Sequence, residues 1–369
     1  MPRKLPAVPV REQPRILCFA TQGAGHIEDE RIQVLLGGLD AEAFAFDRAH
    51  KLRSALRLAR TSIAQRPALI VMEGTGTAGG LVLLALRLLL GVPYVVSSGD
   101  AVGPFLALHS RLLGVLGAAY ERLLCRCCAG FVGWTPYLVG RALTFGAPRA
   151  MTAPGWTRSA PRDGARARIR AELGIPEQTI VVGLAGSLHW NERVGYVYGA
   201  ELVQAIRRTN RTDLVACILG DGNGRARLEE LAGEDLGSRV LLPGRVSPEL
   251  VPDYLEAFDI GSLSQSVDPV GSFRYTTKLS EYLAVGLPVI TGEVPLAYDL
   301  DEGYLWRLAG AAPWDEAFIE ALAELLVGLG REEIETRRAA AAAACPGVFD
   351  RDSQQRRMSA FVRDILAGA

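Results

Sequence analysis

Residues 274–292 read RYTTKLSEYLAVGLPVITG, and they combine a short amphipathic helix with an apolar strand. Three apolar residues have the i, i+3, i+4 spacing of a helix that packs on a sheet: Leu279, Tyr282 and Leu283. The helix is expected to end at Gly286, and residues 288–291 are an apolar run typical of a buried strand. The stretch therefore predicts one helix–turn–strand unit of an α/β sheet.

The start of this helix carries polar residues suited to an anion: Thr276, Thr277, Lys278 and Glu281. The first backbone N–H groups of a helix have no partner within it, and the helix dipole is positive there. Only three lysines occur in this arginine-rich chain, Lys4, Lys51 and Lys278, which favours a need for a compact charge at this position. A phosphate site is one interpretation. The other is that Thr277 simply caps the helix.

Length and composition indicate a globular protein of two domains. A chain of 369 residues is too long for one small hydrophobic core. Its composition, with 49% hydrophobic and 22% charged residues, is typical of a soluble protein. A net charge of −1 gives no general electrostatic reason to bind nucleic acid. The six cysteines lack the spacing of a disulfide framework, which favours reduced thiols in the cytoplasm. The C-x-x-C of Cys125 and Cys128 has no second pair, so no metal site is expected.

No segment is expected to direct export or to span a membrane. Residues 1–14 are polar, and the hydrophobic residues 78–96 are interrupted by Arg87, Gly91 and Pro93. Residues 104–128 predict one long helix with an apolar face and nearby arginines. We expect this face to pack in the core, and peripheral contact with the inner face of the membrane is the alternative.

Strands and helices alternate through both halves of the chain, which predicts parallel sheets with helices on both faces. Strands are expected at 15–20, 44–46, 68–72, 93–97 and 130–133 in the first half, and at 179–184, 213–219, 240–242, 260–263 and 288–291 in the second. Residues 153–170 lack periodicity and are rich in proline, glycine and arginine, which is typical of a linker. The expected fold is α/β, with two Rossmann-like domains that face each other across a cleft.

Glycine-rich polar loops follow the strands of the second half, at residues 185–193, 220–224 and 243–247 and before Thr276. Arg193 and Lys278 are predicted to bind one diphosphate through charge-assisted hydrogen bonds. Glu281 is predicted to accept hydrogen bonds from vicinal hydroxyl groups such as those of ribose. A simple turn explains any one of these loops, but four at strand ends favour a binding site. The loops contain neither a G-x-G-x-x-G fingerprint nor a P-loop.

Two loops of the first half are expected to face the same cleft, at residues 21–26 and 97–100. Gly23 and Gly25 would let a substrate approach the backbone closely. His26 is a candidate hydrogen-bond partner or proton carrier. Asp100 either binds a sugar hydroxyl group or caps the following helix, and the sequence leaves both open.

The second half resembles glycosyltransferase family 4, in the variant with the motif K-L-x-E-Y-L-A. The resemblance is carried by GSLHWNER at 186–193, LGDG at 219–222, VLLPGRV at 240–246 and TKLSEYLAVGLPVI at 277–290. It implies the GT-B fold of two Rossmann-like domains, here residues 1–155 for the acceptor and 156–350 for the donor. Residues 351–369 would form a last helix that crosses back to the first domain.

The resemblance implies a retaining, metal-independent transfer of a sugar from a nucleotide diphosphate sugar, with UDP or GDP as the nucleotide. The acceptor would be a glycan, a lipid-linked molecule or a small molecule, in bacterial surface polysaccharide or glycoconjugate biosynthesis. The residues expected to bind the donor are Gly186, Ser187, Asn191, Arg193, Gly220, Asp221, Arg245, Val246, Thr276, Thr277, Lys278, Leu279 and Glu281. The expected catalytic residues are His26, Asp100, Arg193 and Lys278, with Gly23, Gly25 and His26 in the acceptor-side loop.

The chain departs from the family pattern at three places. Phe273 stands where the first glutamate of the family's E-x7-E motif belongs, and Ser187 where an arginine is usual. Residues 98–100 replace the histidine expected after the fourth strand. These departures keep two alternatives open: an inactive homologue that binds sugar nucleotides or serves as a partner subunit, and a sugar-nucleotide epimerase.

Overall fold

The structure is a computed structural model that describes residues 16–156, 160–274 and 276–368. The first half forms a six-stranded parallel sheet in the order β2–β1–β3–β4–β5–β6. Its strands are β1 (Ile16–Ala20), β2 (Ala41–Ala43), β3 (Leu69–Glu73), β4 (Tyr94–Ser98), β5 (Gly130–Gly133) and β6 (Ala150–Thr152). Strands β1, β3, β4 and β5 are buried along their whole length, which explains their continuous apolar sequences.

The second half forms another six-stranded parallel sheet, in the order β12–β11–β10–β7–β8–β9. Its strands are β7 (Ile180–Ala185), β8 (Leu214–Leu219), β9 (Val240–Gly244), β10 (Ile260–Leu263), β11 (Val289–Gly292) and β12 (Leu305–Leu308). The two sheets confirm the predicted fold class. The position predicted for the second strand of the first half, residues 44–46, is wrong. Phe44 and Phe46 lie beyond β2 and reach the core from a loop.

Helices connect the strands and cover both sheets. The first half contains α1 (Ile27–Leu35), α2 (Lys51–Gln65), α3 (Thr77–Leu90), α4 (Val102–Ala107), α5 (Arg111–Cys127) and α6 (Pro136–Thr144). The second half contains α7 (Ala165–Glu172), α8 (Ala200–Arg208), α9 (Arg225–Ala232), α10 (Val251–Glu256), α11 (Lys278–Ala284), α12 (Leu296–Asp299), α13 (Glu316–Gly328) and α14 (Arg331–Val348). The last helix is α15 (Arg351–Ala367).

The single helix predicted for residues 104–128 is wrong, because the chain turns at Ser110 between α4 and α5. The Ser110 backbone is extended, and its side-chain oxygen accepts a hydrogen bond from Leu113 N at 3.1 Å, which caps α5. Helix α4 then packs closely on α5 through glycines. A Cβ at Gly103 would lie 2.9 Å from Ala118 Cβ, and one at Gly114 would lie 2.7 Å from Ala107 Cβ. Small residues therefore favour a helical hairpin over one long helix.

The linker predicted for residues 153–170 is partly wrong, since α7 begins within it at Ala165. Residues 157–159 lie outside the described part of the chain. The arginines of this segment bind two buried carboxylates of the second half. Arg168 pairs with Asp253, and Arg166 and Arg170 pair with Asp259, each at 2.6 Å. These contacts are formed between distant segments, so local sequence periodicity does not reveal them.

The last helix returns to the first half, as expected for the predicted fold. Met358, Val362 and Ile365 of α15 pack in one apolar cluster with strands β1 and β3. The side-chain amide of Gln354 accepts a hydrogen bond from Gly155 N at 3.0 Å and donates one to Gly155 O at 2.5 Å. This pairing ties the end of the chain to the segment that leaves the first sheet.

Candidate active site

A cavity of about 730 Å³ lies between the two halves, where strands of both sheets end. Its first-half wall comes from the loops after β1, β3 and β4, represented by Thr21, Gly74 and Asp100. Its second-half wall comes from the segment after β10 and from the beginning of α11, where Arg274 and Lys278 lie. The carboxyl ends of parallel strands are the usual place for ligands in such sheets.

Lys278 is the cation of the second-half wall that is most shielded from solvent. Its Cε and Nζ lie so close to Gly186 that a Cβ at that glycine would be 2.9 Å and 3.1 Å from them. Its Nζ also lies 5.7 Å from the centre of the Tyr198 ring. Burial lowers the pKa of Lys278, and the nearby charge of Glu281 opposes that shift. Within the described residues Lys278 Nζ forms no salt bridge, so its charge is suited to an anionic ligand.

The beginning of α11 has no side-chain cap from Thr277. Thr277 has helical backbone angles, with φ −59° and ψ −19°, and its side chain caps no backbone N–H group. Thr277 therefore lies at the N-cap position of α11, as the capping interpretation expects, but without a side-chain hydrogen bond. Thr276 Oγ1 is 3.4 Å from Lys278 N, a long and weak hydrogen bond. Thr276, Thr277 and Lys278 all line the cavity, while Leu279 is fully buried in the core.

The predicted glycines of the second half hold neighbouring loops together. Gly220 has φ +141°, and a Cβ there would lie 1.8 Å from the carbonyl oxygen of Gly186. A Cβ at Gly222 would lie 2.4 Å from Leu188 O. Asp221 Oδ1 accepts a hydrogen bond from Gly222 N at 2.8 Å. The close approach of these loops requires glycine and sets Gly186 against the Lys278 side chain.

Other predicted donor residues do not line this cavity. Arg193 is exposed and donates a hydrogen bond from Nη1 to Leu108 O of the first half at 3.1 Å, so it is not brought to Lys278. Asn191 Oδ1 accepts a hydrogen bond from Arg193 N at 3.1 Å. Ser187 and Arg245 are exposed, and Val246 packs against the core of the second half. Glu281, half-buried, lies one turn into α11.

Asp100 lies on the cavity wall and faces Arg274 of the other half. Its Oδ1 is 3.5 Å from Arg274 Nε, and the two side chains are 57% and 43% exposed. The alternative role of Asp100 as a helix cap is wrong, since Ala101 precedes α4 and no side chain caps that helix. A solvated ion pair of this kind contributes little stability.

His26 caps α1, and its Nδ1 accepts a hydrogen bond from Glu28 N at 3.5 Å. The imidazole is exposed and is not part of the cavity wall. Gly23 and Gly25 have φ values of +115° and +75°, so both need the freedom of glycine to shape this loop. The loop meets the cavity through Thr21 and Gln22, which precede these residues.

A buried polar cluster that sequence analysis missed supports the first-half wall. Arg31 Nη1 pairs with Glu73 Oε2 at 2.6 Å and donates to Ser97 Oγ at 3.2 Å. The guanidinium of Arg31 stacks over Trp134, 4.5 Å from its ring centre. Trp134 Nε1 donates to Glu73 Oε1 at 3.1 Å. A glutamate at the end of the buried strand LIVME was the one local signal for this cluster.

Glu28, on the first turn of α1, also lines the cavity and was not predicted. Burial raises its pKa to about 7, and the charges of Glu73 and Asp100 act in the same direction. Its Oε2 is shielded from solvent, and no described residue donates a hydrogen bond to it. The first half therefore places a carboxyl group that titrates near neutral pH in the wall of the cavity.

Phe273, at the position of the missing motif glutamate, crosses to the first half. Its ring stacks on Tyr137 with centres 4.6 Å apart and planes 7° apart. The guanidinium of Arg141 lies 4.8 Å from the centre of the Phe273 ring. At this position the chain has an interdomain contact in place of an acid in the cavity.

In residues 16–156, 160–274 and 276–368, no group of three His, Cys, Asp or Glu side chains is arranged to hold a metal ion. No helix of the described chain is both long enough and apolar enough to cross a membrane.

Family comparisons agree with this architecture. Residues 11–154 match the family model of the glycosyl transferase 4-like domain, and residues 179–327 match that of glycosyl transferases group 1. Each half of this chain belongs to a glycosyltransferase family. The glycosyltransferase TuaH of Bacillus subtilis (strain 168), assigned to teichuronic acid biosynthesis, is 31% identical over 100 residues. That match covers 27% of this chain and 25% of TuaH, so the chain matches about a quarter of that relative.

Solved glycosyltransferase structures share the whole fold at low sequence identity. HepE of Anabaena in complex with UDP has a TM-score of 0.68 and 15% identity, over 95% of this chain and 100% of HepE. Sucrose-phosphate synthase from Thermosynechococcus elongatus has a TM-score of 0.71 and 14% identity, over 96% of this chain and 100% of that enzyme. These likenesses identify the fold as GT-B and confirm the predicted architecture.

Proposed function

We propose that the protein is a retaining glycosyltransferase that needs no metal ion and transfers a sugar from a nucleotide diphosphate sugar. The observation that carries this proposal is Lys278, a shielded cation without a salt bridge among the described residues, at the beginning of α11 in the cavity wall. Preorganised charges and donors of this kind stabilise a diphosphate more effectively than water does.

The proposed chemistry is stabilisation of the leaving group. As the bond between the anomeric carbon and the β-phosphate oxygen breaks, negative charge grows on the diphosphate, and Lys278 offsets it. The positive end of the α11 dipole acts in the same direction. The walls of both halves shield the reacting sugar from water, which limits hydrolysis of the donor.

The remaining roles belong to the same proposal. Glu281 binds the ribose, and the loop of Arg245 and Val246 contacts the base. Arg193 reaches the diphosphate only if it leaves the carbonyl oxygen of Leu108, so we expect donor binding to break that interdomain contact. HepE has been solved with UDP and with UDP-glucose, which supports a UDP-sugar as the donor, with a GDP-sugar as the alternative.

The proposed acceptor is a glycan, a lipid-linked molecule or a small molecule in bacterial surface polysaccharide or glycoconjugate biosynthesis. The assignment of TuaH to teichuronic acid biosynthesis supports this pathway class. We propose that the protein works in the cytoplasm, at the inner face of the membrane when the acceptor is lipid-linked.

A panel of UDP-, GDP-, ADP- and dTDP-sugars in a thermal-shift assay tests the proposal. A ligand that binds the native state raises the melting temperature according to its concentration relative to Kd. We expect the sugar nucleotides of one base to raise the melting temperature. The corresponding nucleoside monophosphate should raise it less. No shift with any donor would contradict the proposed function.

An inactive sugar-nucleotide-binding homologue is the second candidate, favoured by the packing of Phe273 on Tyr137 away from the cavity. Slow hydrolysis of the bound donor separates the two. If the wild type releases nucleotide and Glu281→Ala does not, the result supports an active transferase. Tight nucleotide binding without any release supports the inactive homologue.

Asp100→Ala is expected to leave nucleotide affinity unchanged within about twofold and to lower transfer at least about tenfold, if Asp100 binds an acceptor hydroxyl group. The loss of its exposed pair with Arg274 has little structural cost. Calorimetry with the nucleotide and a transfer assay are the two measurements. Equal loss of nucleotide affinity and transfer would contradict the acceptor role.

The exposed face of α5 supports peripheral contact with a membrane. The prediction that this helix packs in the core is confirmed for its second half, where Leu124 and Cys125 are buried. The opposite side nevertheless exposes apolar residues: Leu112 at 69%, Val115 at 67% and Leu116 at 56%. Arg111, Arg122 and Arg126 belong to the same helix, and its one acidic residue, Glu121, is buried and paired with Arg141. An apolar face with unopposed arginines is suited to an anionic bilayer surface.

The double variant Leu112→Asp/Leu116→Asp is expected to reduce binding to phosphatidylglycerol vesicles at least about tenfold, since it removes apolar contact and adds negative charge. Val327→Asp, an exposed apolar residue at 59% on α13, is the matched control. Vesicle flotation measures the bound fraction. Unchanged flotation of the double variant would contradict the membrane role of α5.

A further inference from the structure

Glu28 differs from the other acidic residues of the cavity wall, because it forms no ion pair among the described residues. Glu73 is paired with Arg31 at 2.6 Å, and Asp100 faces Arg274 at 3.5 Å. The Glu28 side chain forms no ion pair within the described chain, and its Oε2 is shielded from solvent without a donor. A carboxyl oxygen without a hydrogen bond is costly to bury, so a hydroxyl group that binds beside Glu28 would gain from donating to this carboxyl group.

The backbone after β3 comes close to Thr21 and Glu28 because residue 74 is a glycine. Gly74, directly after β3, has φ +83°, in the left-handed region that favours glycine. A Cβ at Gly74 would lie 2.3 Å from Thr21 Oγ1 and 3.6 Å from Glu28 Oε2. The missing side chain thus leaves a hydroxyl group and a carboxyl group beside each other at the ends of β1 and β3. This is a combination suited to binding hydroxyl groups.

We propose that Glu28 binds a hydroxyl group of the acceptor, and that the acceptor presents a sugar or polyol at this subsite. The inference rests on the proposed function, because it takes the cavity to be the site of transfer. The donor's phosphates belong to the Lys278 wall on the second half, while Glu28 lies on the first half of the same cavity. Arg48 and Lys51 also line the cavity, and such cations could bind a phosphate group. The sugar at this subsite is therefore either neutral or carries a phosphate group away from the hydroxyl group that Glu28 binds.

The charge state of Glu28 gives a readout that a purely structural role would not change. Burial, Glu73 and Asp100 raise the pKa of Glu28 to about 7, and Arg31 and Arg48 oppose them. Ionisation above this value makes both carboxyl oxygens hydrogen-bond acceptors. Sugar binding should therefore strengthen from pH 6 to pH 8 in the wild type, and the neutral amide of Glu28→Gln should remove this dependence.

The experiment uses the full chain with a saturating nucleoside diphosphate, and it detects sugar binding by saturation-transfer NMR. The probes are glucose, galactose, mannose and N-acetylglucosamine, with glucose 6-phosphate as the charged arm. We expect at least one probe to bind the wild type, and its affinity to fall about tenfold in Glu28→Ala. Glu30→Gln, which removes one acidic charge from an exposed position of the same helix, is the matched control and should bind like the wild type.

The outcomes separate the two proposals. Failure of the wild type to bind any nucleoside diphosphate in calorimetry contradicts the proposed function. Nucleotide binding without sugar binding, or sugar binding that is equal in wild type and Glu28→Ala, overturns the role of Glu28 alone. A fall in sugar affinity in Glu28→Ala with unchanged nucleotide affinity supports it, and the bound probes show whether the sugar is neutral or phosphorylated.

Discussion

Replacement of Lys278 by methionine is expected to weaken nucleoside diphosphate binding by about tenfold to a hundredfold and to leave the fold intact. Hydrogen bonds between a charged group and its partner contribute about 1.5–3 kcal/mol each, which corresponds to this range. Methionine keeps the apolar stem against Gly186 and Tyr198 and removes only the charge. Because burial lowers the pKa of Lys278, its charged form is disfavoured there, so the variant should be no less stable than the wild type.

Calorimetry with UDP and UMP measures this effect. The wild type should bind UDP more tightly than UMP, and Lys278→Met should lose most of that difference. Arg207→Ala, which removes an exposed cation of α8 that pairs with Asp235 at 3.6 Å, is the control for a general loss of positive charge. If Lys278→Met binds UDP as tightly as the wild type, the phosphate assignment is wrong.

Arg31→Met is expected to lower the free energy of unfolding by about 3–5 kcal/mol, the largest stability effect that we predict. The substitution leaves Glu73 buried without its 2.6 Å ion pair and removes the stacking on Trp134. It also removes a hydrogen bond to Ser97, so the ends of β3 and β4 and the segment after β5 lose their common partner. The wall of the cavity is therefore expected to lose its shape together with stability.

Urea denaturation of the full chain measures the change in unfolding free energy. Adding Glu73→Gln to Arg31→Met should recover part of the loss, because a neutral amide is less costly to bury than an unpaired carboxylate. Arg208→Ala, which breaks an exposed pair with Glu316, is the control and should cost less than about 1 kcal/mol. A cost of Arg31→Met as small as that of Arg208→Ala would contradict a structural role of the buried pair.

The helix–turn–strand unit in residues 274–292 was predictable because its signals are local. Helix α11 (Lys278–Ala284) and β11 (Val289–Gly292) follow from apolar spacing and from a glycine at the turn, and Gly286 has φ +68° there. The two parallel sheets followed from the alternation of buried strands and helices along the chain. The short edge strands β6 and β12 were missed, since three or four residues of an edge strand leave little pattern.

Features that depend on tertiary contacts were not predictable in the same way. The chain leaves the helix after Ala107 and begins a new one after Ser110, because close packing at Gly103 and Gly114 favours the hairpin. The Arg31 cluster joins residues from separate segments, none of which has a motif of its own. The position of Arg193 against Leu108 depends on how the two halves meet, so its place outside the cavity could not be read from its own loop.

A crystal structure of the protein with a bound nucleotide diphosphate sugar would test most directly whether Lys278 binds the diphosphate. We expect the diphosphate to contact Lys278 Nζ and the first backbone N–H groups of α11, with the sugar directed toward Asp100 and Glu28. A nucleotide bound elsewhere, with Lys278 more than about 6 Å from both phosphates and thus beyond the reach of a close charge interaction, would contradict it.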